Sequence, residues 1–189
     1  MSPPHCRWLL LLVQLPASPS SRRVALWRRL RSAGATSLLN GSWVLPFADE
    51  HAELFKELAD GVREAEGTAA VFEATTTPEE DVEIKASFQR DRTREYEELS
   101  TRVRAYLEEI ERETRLKKFT FAEFEEIEDD YEKLAAWLAR IAARDFFPNE
   151  RHRQADHELR ACNGARAAFC DRVFQNEALP TTHLEEGNG

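Results

Sequence analysis

The chain has 189 residues, 42% hydrophobic and 32% charged, with a formal net charge of −9. That size suits one domain or two small ones with a real core, and the composition excludes a disordered chain. Three cysteines (Cys6, Cys162, Cys170) are too few, and odd in number, for a disulfide scaffold, so a reducing compartment is expected.

Trp8-Leu9-Leu10-Leu11-Leu12-Val13-Gln14-Leu15, closed by Pro16, is too short to span a bilayer and reads as a strand buried on both faces. With Arg7 before it and Pro16-Ala17-Ser18 after, it has the outline of a secretory signal. The basic region is one Arg, however, and cleavage would remove a strand partner, so a cytoplasmic protein is expected. Ser18-Pro19-Ser20-Ser21 offers capping hydroxyls to a helix in which Val24, Trp27 and Leu30 recur at a spacing of three. Gly34 stops that helix, and 35–47 holds two short strands around Asn40-Gly41, a hairpin dipeptide. Ala48-Asp49-Glu50 opens a second helix with the apolar stripe Leu54, Phe55, Leu58, Val62, ended by Gly67; 68–74 reads as a last strand.

The sum is β-α-β-β-α-β over about 7–75, which predicts an α+β fold: a ferredoxin-like domain (1–76). Thr75-Thr76-Thr77-Pro78 is the expected domain joint. Beyond it the apolar period becomes helical: Tyr96, Leu99, Val103, Tyr106, Ile110; then Phe124, Ile127, Tyr131, Leu134, Leu138, Ile141; then Ala155, Leu159, Cys162, Arg166, Phe169, Val173. Alternating threes and fours predict an antiparallel three-helix bundle (77–180), with a flexible tail (181–189).

The charge is uneven. Residues 1–47 hold six Arg and no acid, whereas the next 27 residues carry eight acids against Lys56 and Arg63. Arg22, Arg23, Arg28, Arg29 and Arg31 fall within three helical turns, so this helix is the candidate DNA-binding element: guanidinium groups suit phosphates, and each neutralised phosphate releases counterions. Two other readings stay open, pairing with the chain's own acids and capture of a small oxyanion.

Catalytic and metal sites are expected to be absent. No acid precedes Asp49, so carboxylates for metal-dependent phosphodiester cleavage are missing from the first strand. His152 and His157 are five apart, an awkward spacing for joint ligation on a helix. Cys162 sits on an apolar stripe and reads as core, as do Trp27, Phe121 and Phe124 by their spacing. The block from Glu123 to Asp130 lacks the Glu-x-x-His pairs of a di-metal bundle. Phe146-Phe147 before Pro148 reads as a docking point between bundle and sheet. No cofactor is expected.

The order W-L-L-L-L, R-R-V-x-x-W-R-R-L, G-A and N-G-S-W-V-L-P resembles the N-terminal domain of the chromate resistance protein ChrB. More distantly it is similar to the ferredoxin-like domain of PaaX-type repressors and of CRISPR-associated endonucleases of the second core family. Lys117-Lys118-Phe119-Thr120-Phe121-Ala122-Glu123-Phe124 and Ala143-Arg144-Asp145-Phe146-Phe147 extend the likeness over nearly the whole chain. The resemblance implies a chromate-responsive transcriptional regulator, a repressor of a chromate efflux operon that binds promoter DNA. The residues themselves add only that the helix bearing Arg22 to Arg31 is the expected contact to the DNA backbone, doubled across a two-fold homodimer. Longer family members append a sensor domain, so a separately encoded sensor is a further expected partner. The alternatives are an interaction module that does not bind DNA, or a metal- or redox-handling accessory protein.

Overall fold

Strand β1 (Arg7–Gln14) is the centre of a four-stranded antiparallel sheet in the order β2-β3-β1-β4, with β2 at Thr36–Ser37, β3 at Ser42–Pro46 and β4 at Thr68–Thr75. Helix α1 (Ser20–Ser32) follows β1 and α2 (Asp49–Glu64) joins β3 to β4; α3 (Pro78–Leu116), α4 (Phe121–Ala142) and α5 (Glu150–Glu177) complete the chain. This is a mixed α+β architecture. A computed structural model describes residues 7–17 and 19–177; His5, Cys6 and the expected flexible tail 181–189 lie outside the described residues.

The packing divides into two compact units, Met1–Glu95 with Ile141–Asn149, and Tyr96–Arg140 with Glu150–Gly189. The linear joint expected at 76/77 therefore falls within the first unit. The reason is apolar: Ile84 and Phe88 of α3 are buried with Trp8, Leu9, Leu11, Leu45, Phe55 and Leu58 in one core. Phe88 stacks on Trp8 at 5.9 Å between centroids and meets Phe146 and Phe147 edge-on at 5.9 and 5.4 Å. The Phe146-Phe147 pair thus docks on the sheet's aromatic cluster. Asp81 accepts a hydrogen bond from the Trp8 indole at 3.2 Å, anchoring the first turns of α3.

Several local expectations need correction. β1 is covered on both faces only over its first half, for Leu12 is 40% exposed. The α1 N-cap is Pro19, with no side-chain cap bond. The spacing-of-three stripe on α1 fails: Leu30 is buried, but Val24 and Trp27 are 44% and 53% exposed. Steps of three fall 60° short of a full turn, so Val24 and Leu30 stand on different sides; Leu26 and Leu30, four apart, face the core. Phe121 is likewise exposed, against Phe174. Gly34 ends α1 at φ +82°, as expected. After α2 the left-handed residue is Glu66, while Gly67 serves close approach, since a Cβ there would meet Gln14 O at 2.7 Å.

α3 starts at a reciprocal cap. The Glu80 N–H donates to Thr77 Oγ1 and the Thr77 N–H to Glu80 Oε2, both at 3.2 Å, with Pro78 at the first helical position. In the second unit Tyr96, Leu99, Val103, Tyr106 and Ile110 are all buried, as are Ile127, Leu134 and Leu138 of α4 and Ala155, Cys162, Phe169 and Val173 of α5. Tyr96 Oη and His152 Nδ1 share a hydrogen bond of 2.8 Å, and the Arg166 guanidinium lies 4.6 Å over the Tyr131 ring and pairs with Glu128.

Candidate nucleic-acid interface

Helix α1 rests on the sheet through Leu26 and Leu30, and the remaining faces carry its arginines. The five are not equivalent. Arg29 reaches across to Glu57 of α2 at 2.9 Å, both side chains well exposed, and holds the Glu57 carboxyl below the usual carboxylate range by hydrogen bond and charge. Arg31 is half-buried and ties α1 to α3, at 2.9 Å from Asp91 and 3.8 Å from Glu95.

A polar knot surrounds Arg31. Thr36 Oγ1 donates to Asp91 at 2.9 Å, Arg144 donates to the Arg31 carbonyl at 3.0 Å and pairs with Glu95 at 2.7 Å, and buried Arg92 lies 3.0 Å from Glu95. Burial, first, and then the neighbouring Arg144 and Arg31 push the Arg92 guanidinium below its ordinary value, against the pull of Glu95. Three guanidinium groups around two carboxylates make this a structural joint within the first unit, and Arg31 belongs to it.

Arg22, Arg23 and Arg28 are exposed and have no acidic partner among the described residues. Trp27 lies in the open among them: Arg23 and Arg31 are four residues away on either side, and the Arg31 guanidinium is 6.0 Å from its ring centre. Arg22 and Arg29 also border a groove of about 380 Å³ between α1 and α2, floored by Leu15, Ala25, Leu26, Leu58 and Val62, with Glu57 and Glu64 opposite. The outer side of α1 thus offers three uncommitted guanidinium groups and one indole face. Chemically this can neutralise phosphates and lay a flat aromatic against a sugar or base edge.

The sequence grouped the five arginines correctly on one helix but missed Trp27 as part of the exposed surface. The i, i+4 pair Leu26–Leu30 was the available signal. Nothing local marked Asp91 or Glu95 as partners of Arg31, because the pairings span 60 and 64 residues of chain.

Among the described residues no three His, Cys, Asp or Glu are grouped to hold a metal, and no helix is long and apolar enough to cross a membrane. Cys162 is fully buried, and burial, with Glu158 nearby, pushes its thiol up to about 11. His157, on the same helix, is exposed.

A family model described as "Protein ChrB, N-terminal" matches residues 23–180. Protein ChrB of Cupriavidus metallidurans is 28% identical over 176 residues, covering 87% of this chain and 48% of that protein. The chain therefore spans about half the length of this curated relative. Among solved structures, uncharacterized protein Rv0674 from Mycobacterium tuberculosis aligns over 92% of this chain and 64% of its own, at 15% identity and a TM-score of 0.41, a likeness too low to argue from. The match over most of the chain, on the elements that carry the arginine helix and all that follows it, makes this protein a member of the ChrB N-terminal family.

Proposed function

We propose that this chain is the DNA-contacting part of a chromate-responsive transcriptional regulator, acting as a repressor of a chromate resistance operon. Family membership supports the link to chromate resistance. The observation that carries the DNA reading is the exposed trio Arg22, Arg23 and Arg28, free of acidic partners among the described residues in a stretch of 47 residues without an acid. Those groups need no rearrangement to meet phosphates, and Arg31, locked to Asp91 and Glu95, fixes the helix that bears them.

The fold reading is a ferredoxin-like domain and a three-helix bundle. The element order β-α-β-β-α-β and the sheet order β2-β3-β1-β4 support the first. The buried series on α3, α4 and α5 support the second. The protein is read as a regulator without enzymatic activity, working in the cytoplasm.

The test is a mobility shift on the duplex upstream of the resistance genes, at low and moderate salt, with and without chromate. Specific binding that falls steeply with salt and is released by chromate is the expected result. Absence of duplex binding at low salt would refute it. One observation favours a second reading, a protein-docking module: Val24 and Trp27 expose apolar surface on α1. That reading predicts no duplex binding and an interaction insensitive to salt.

A further inference from the structure

We propose that strand β4 is a homodimerisation edge, at which a second copy of this chain adds its own β4 antiparallel to form a continuous eight-stranded sheet. The inference is independent of the DNA reading and starts from the hydrogen-bond ladder. β1 pairs with β3 through its odd-numbered residues: the Val13 N–H donates to Gly41 O at 2.7 Å, and the Arg7 carbonyl accepts from the Phe47 N–H at 3.0 Å. In an antiparallel ladder alternate residues face alternate neighbours, so the even residues of β1 serve β4. In the observed register, Leu12↔Ala70, Leu10↔Phe72 and Trp8↔Ala74 are then the bonded pairs. Ala69, Val71, Glu73 and Thr75 consequently turn their N–H and C=O groups outward. The Arg63 guanidinium donates to Ala69 O at 3.0 Å, as only an outward carbonyl allows. The other outward groups have no partner among the described residues.

An eight-residue edge of this kind is ordinarily blunted by lysine, proline, a bulge or a covering element. β4 reads Thr-Ala-Ala-Val-Phe-Glu-Ala-Thr, with no Lys, no Pro and one acid, and it pairs with β1 in unbroken register from Thr68 to Thr75. The other edge, β2, is two residues long and offers little to pair with. Apolar surface adjoins the open edge on one face of the sheet, where Phe72 is 49% exposed beside Leu10 and Leu12.

A second copy is the fitting occupant because β4 is its own complement. Across a two-fold axis normal to the sheet, paired residues must share a face, and one register satisfies the side chains best: Phe72 opposite Phe72 of the other copy. That pair falls at a non-hydrogen-bonded position, where Cα atoms come within about 4.5 Å and aromatic rings meet. The same register sets Glu73 against Val71 and keeps the two carboxylates apart. It offers about six new backbone hydrogen bonds from the outward residues of the two strands, the Ala69 carbonyl of each being held by Arg63.

The test is light scattering on the 189-residue chain after size exclusion. The expected wild-type mass is twice 21.8 kDa. Val71→Pro removes an outward N–H and trims the Val71 side chain's packing on the core while leaving the β1 ladder intact, and Phe72→Lys places a charge on the axis; both should give the monomer mass with an unchanged circular dichroism spectrum. A second measurement covers a Val71→Pro variant that fails to fold. Phe72→Cys in a Cys6→Ser/Cys170→Ser background should oxidise to a disulfide-linked dimer, whereas Leu12→Cys, exposed on the same face but an inner strand away, should not. A monomeric wild type overturns the proposal, as does a dimer that persists in Phe72→Lys or cross-links equally through position 12.

Discussion

If α1 meets phosphates, its arginines should divide into those that carry salt dependence and those that carry stability. Each phosphate neutralised on duplex DNA contributes about −0.9 to the slope of log K against log salt, so Arg22, Arg23 and Arg28 together account for about −2.7 per subunit. Between about 50 and 200 mM salt, that slope corresponds to a ~40-fold loss of affinity. Fluorescence anisotropy titrations of a labelled duplex across that range should show the Arg22→Ala/Arg23→Ala/Arg28→Ala protein with weaker binding and a slope shallower by about 2.7 for each subunit bound. Arg31→Ala should behave differently. It strips Asp91 and Glu95 of a half-buried partner at 2.9 and 3.8 Å, so it should lower the melting temperature while leaving the slope near that of the wild type. A triple variant with an unaltered slope would refute the assignment of phosphate contacts to this helix, wherever else the DNA bound.

Phe88→Ala should destabilise the first unit by about 3–5 kcal/mol, because a buried ring touching Trp8, Phe146 and Phe147 leaves a cavity; urea unfolding followed by Trp fluorescence measures it. A cost below about 1 kcal/mol would mean that the start of α3 does not share the sheet's core. Gly67→Ala should destabilise measurably, since the new methyl would press on the Gln14 and Val62 carbonyls at 2.7 and 2.9 Å; an unchanged melting curve would contradict the close approach. Cys162 should resist a thiol reagent at pH 8 until the protein unfolds. Its raised pKa also has a stability consequence. The native state keeps the proton longer than the unfolded chain, so the stabilisation is full below about pH 9 and fades toward pH 11 by ~2–3 kcal/mol. Cys162→Ala should flatten that part of the alkaline profile.

The parts of this protein that depend on near neighbours are readable from the order of its residues. The apolar run of β1, the Gly34 stop, the Asn40-Gly41 turn and the stripe of α2 were legible because strand period, left-handed backbone and helical period are local properties. The core series on α3, α4 and α5 were legible for the same reason, and Tyr96, Leu99, Ile127 and Cys162 are buried where the period put them. The Thr77-x-x-Glu80 cap was written there too, although the stretch reads first as a polar break.

The fate of each charge and aromatic is set by packing between elements distant in the chain. Five arginines with one local environment separate into Arg31 in a knot with α3, Arg29 on α2, and three left open, because their acids arrive from 28 to 64 residues away. Trp27, which shares its spacing with core residues, ends in solvent because α1 rolls onto Leu26 and Leu30 when the sheet takes its place beneath. Likewise β4 is an edge through sheet order alone, a property of which strands close against which. Periodicity records how a segment faces its own axis; the partner it meets is set by packing, where burial of Phe88 and Trp8 outweighs any preference inscribed at the joint.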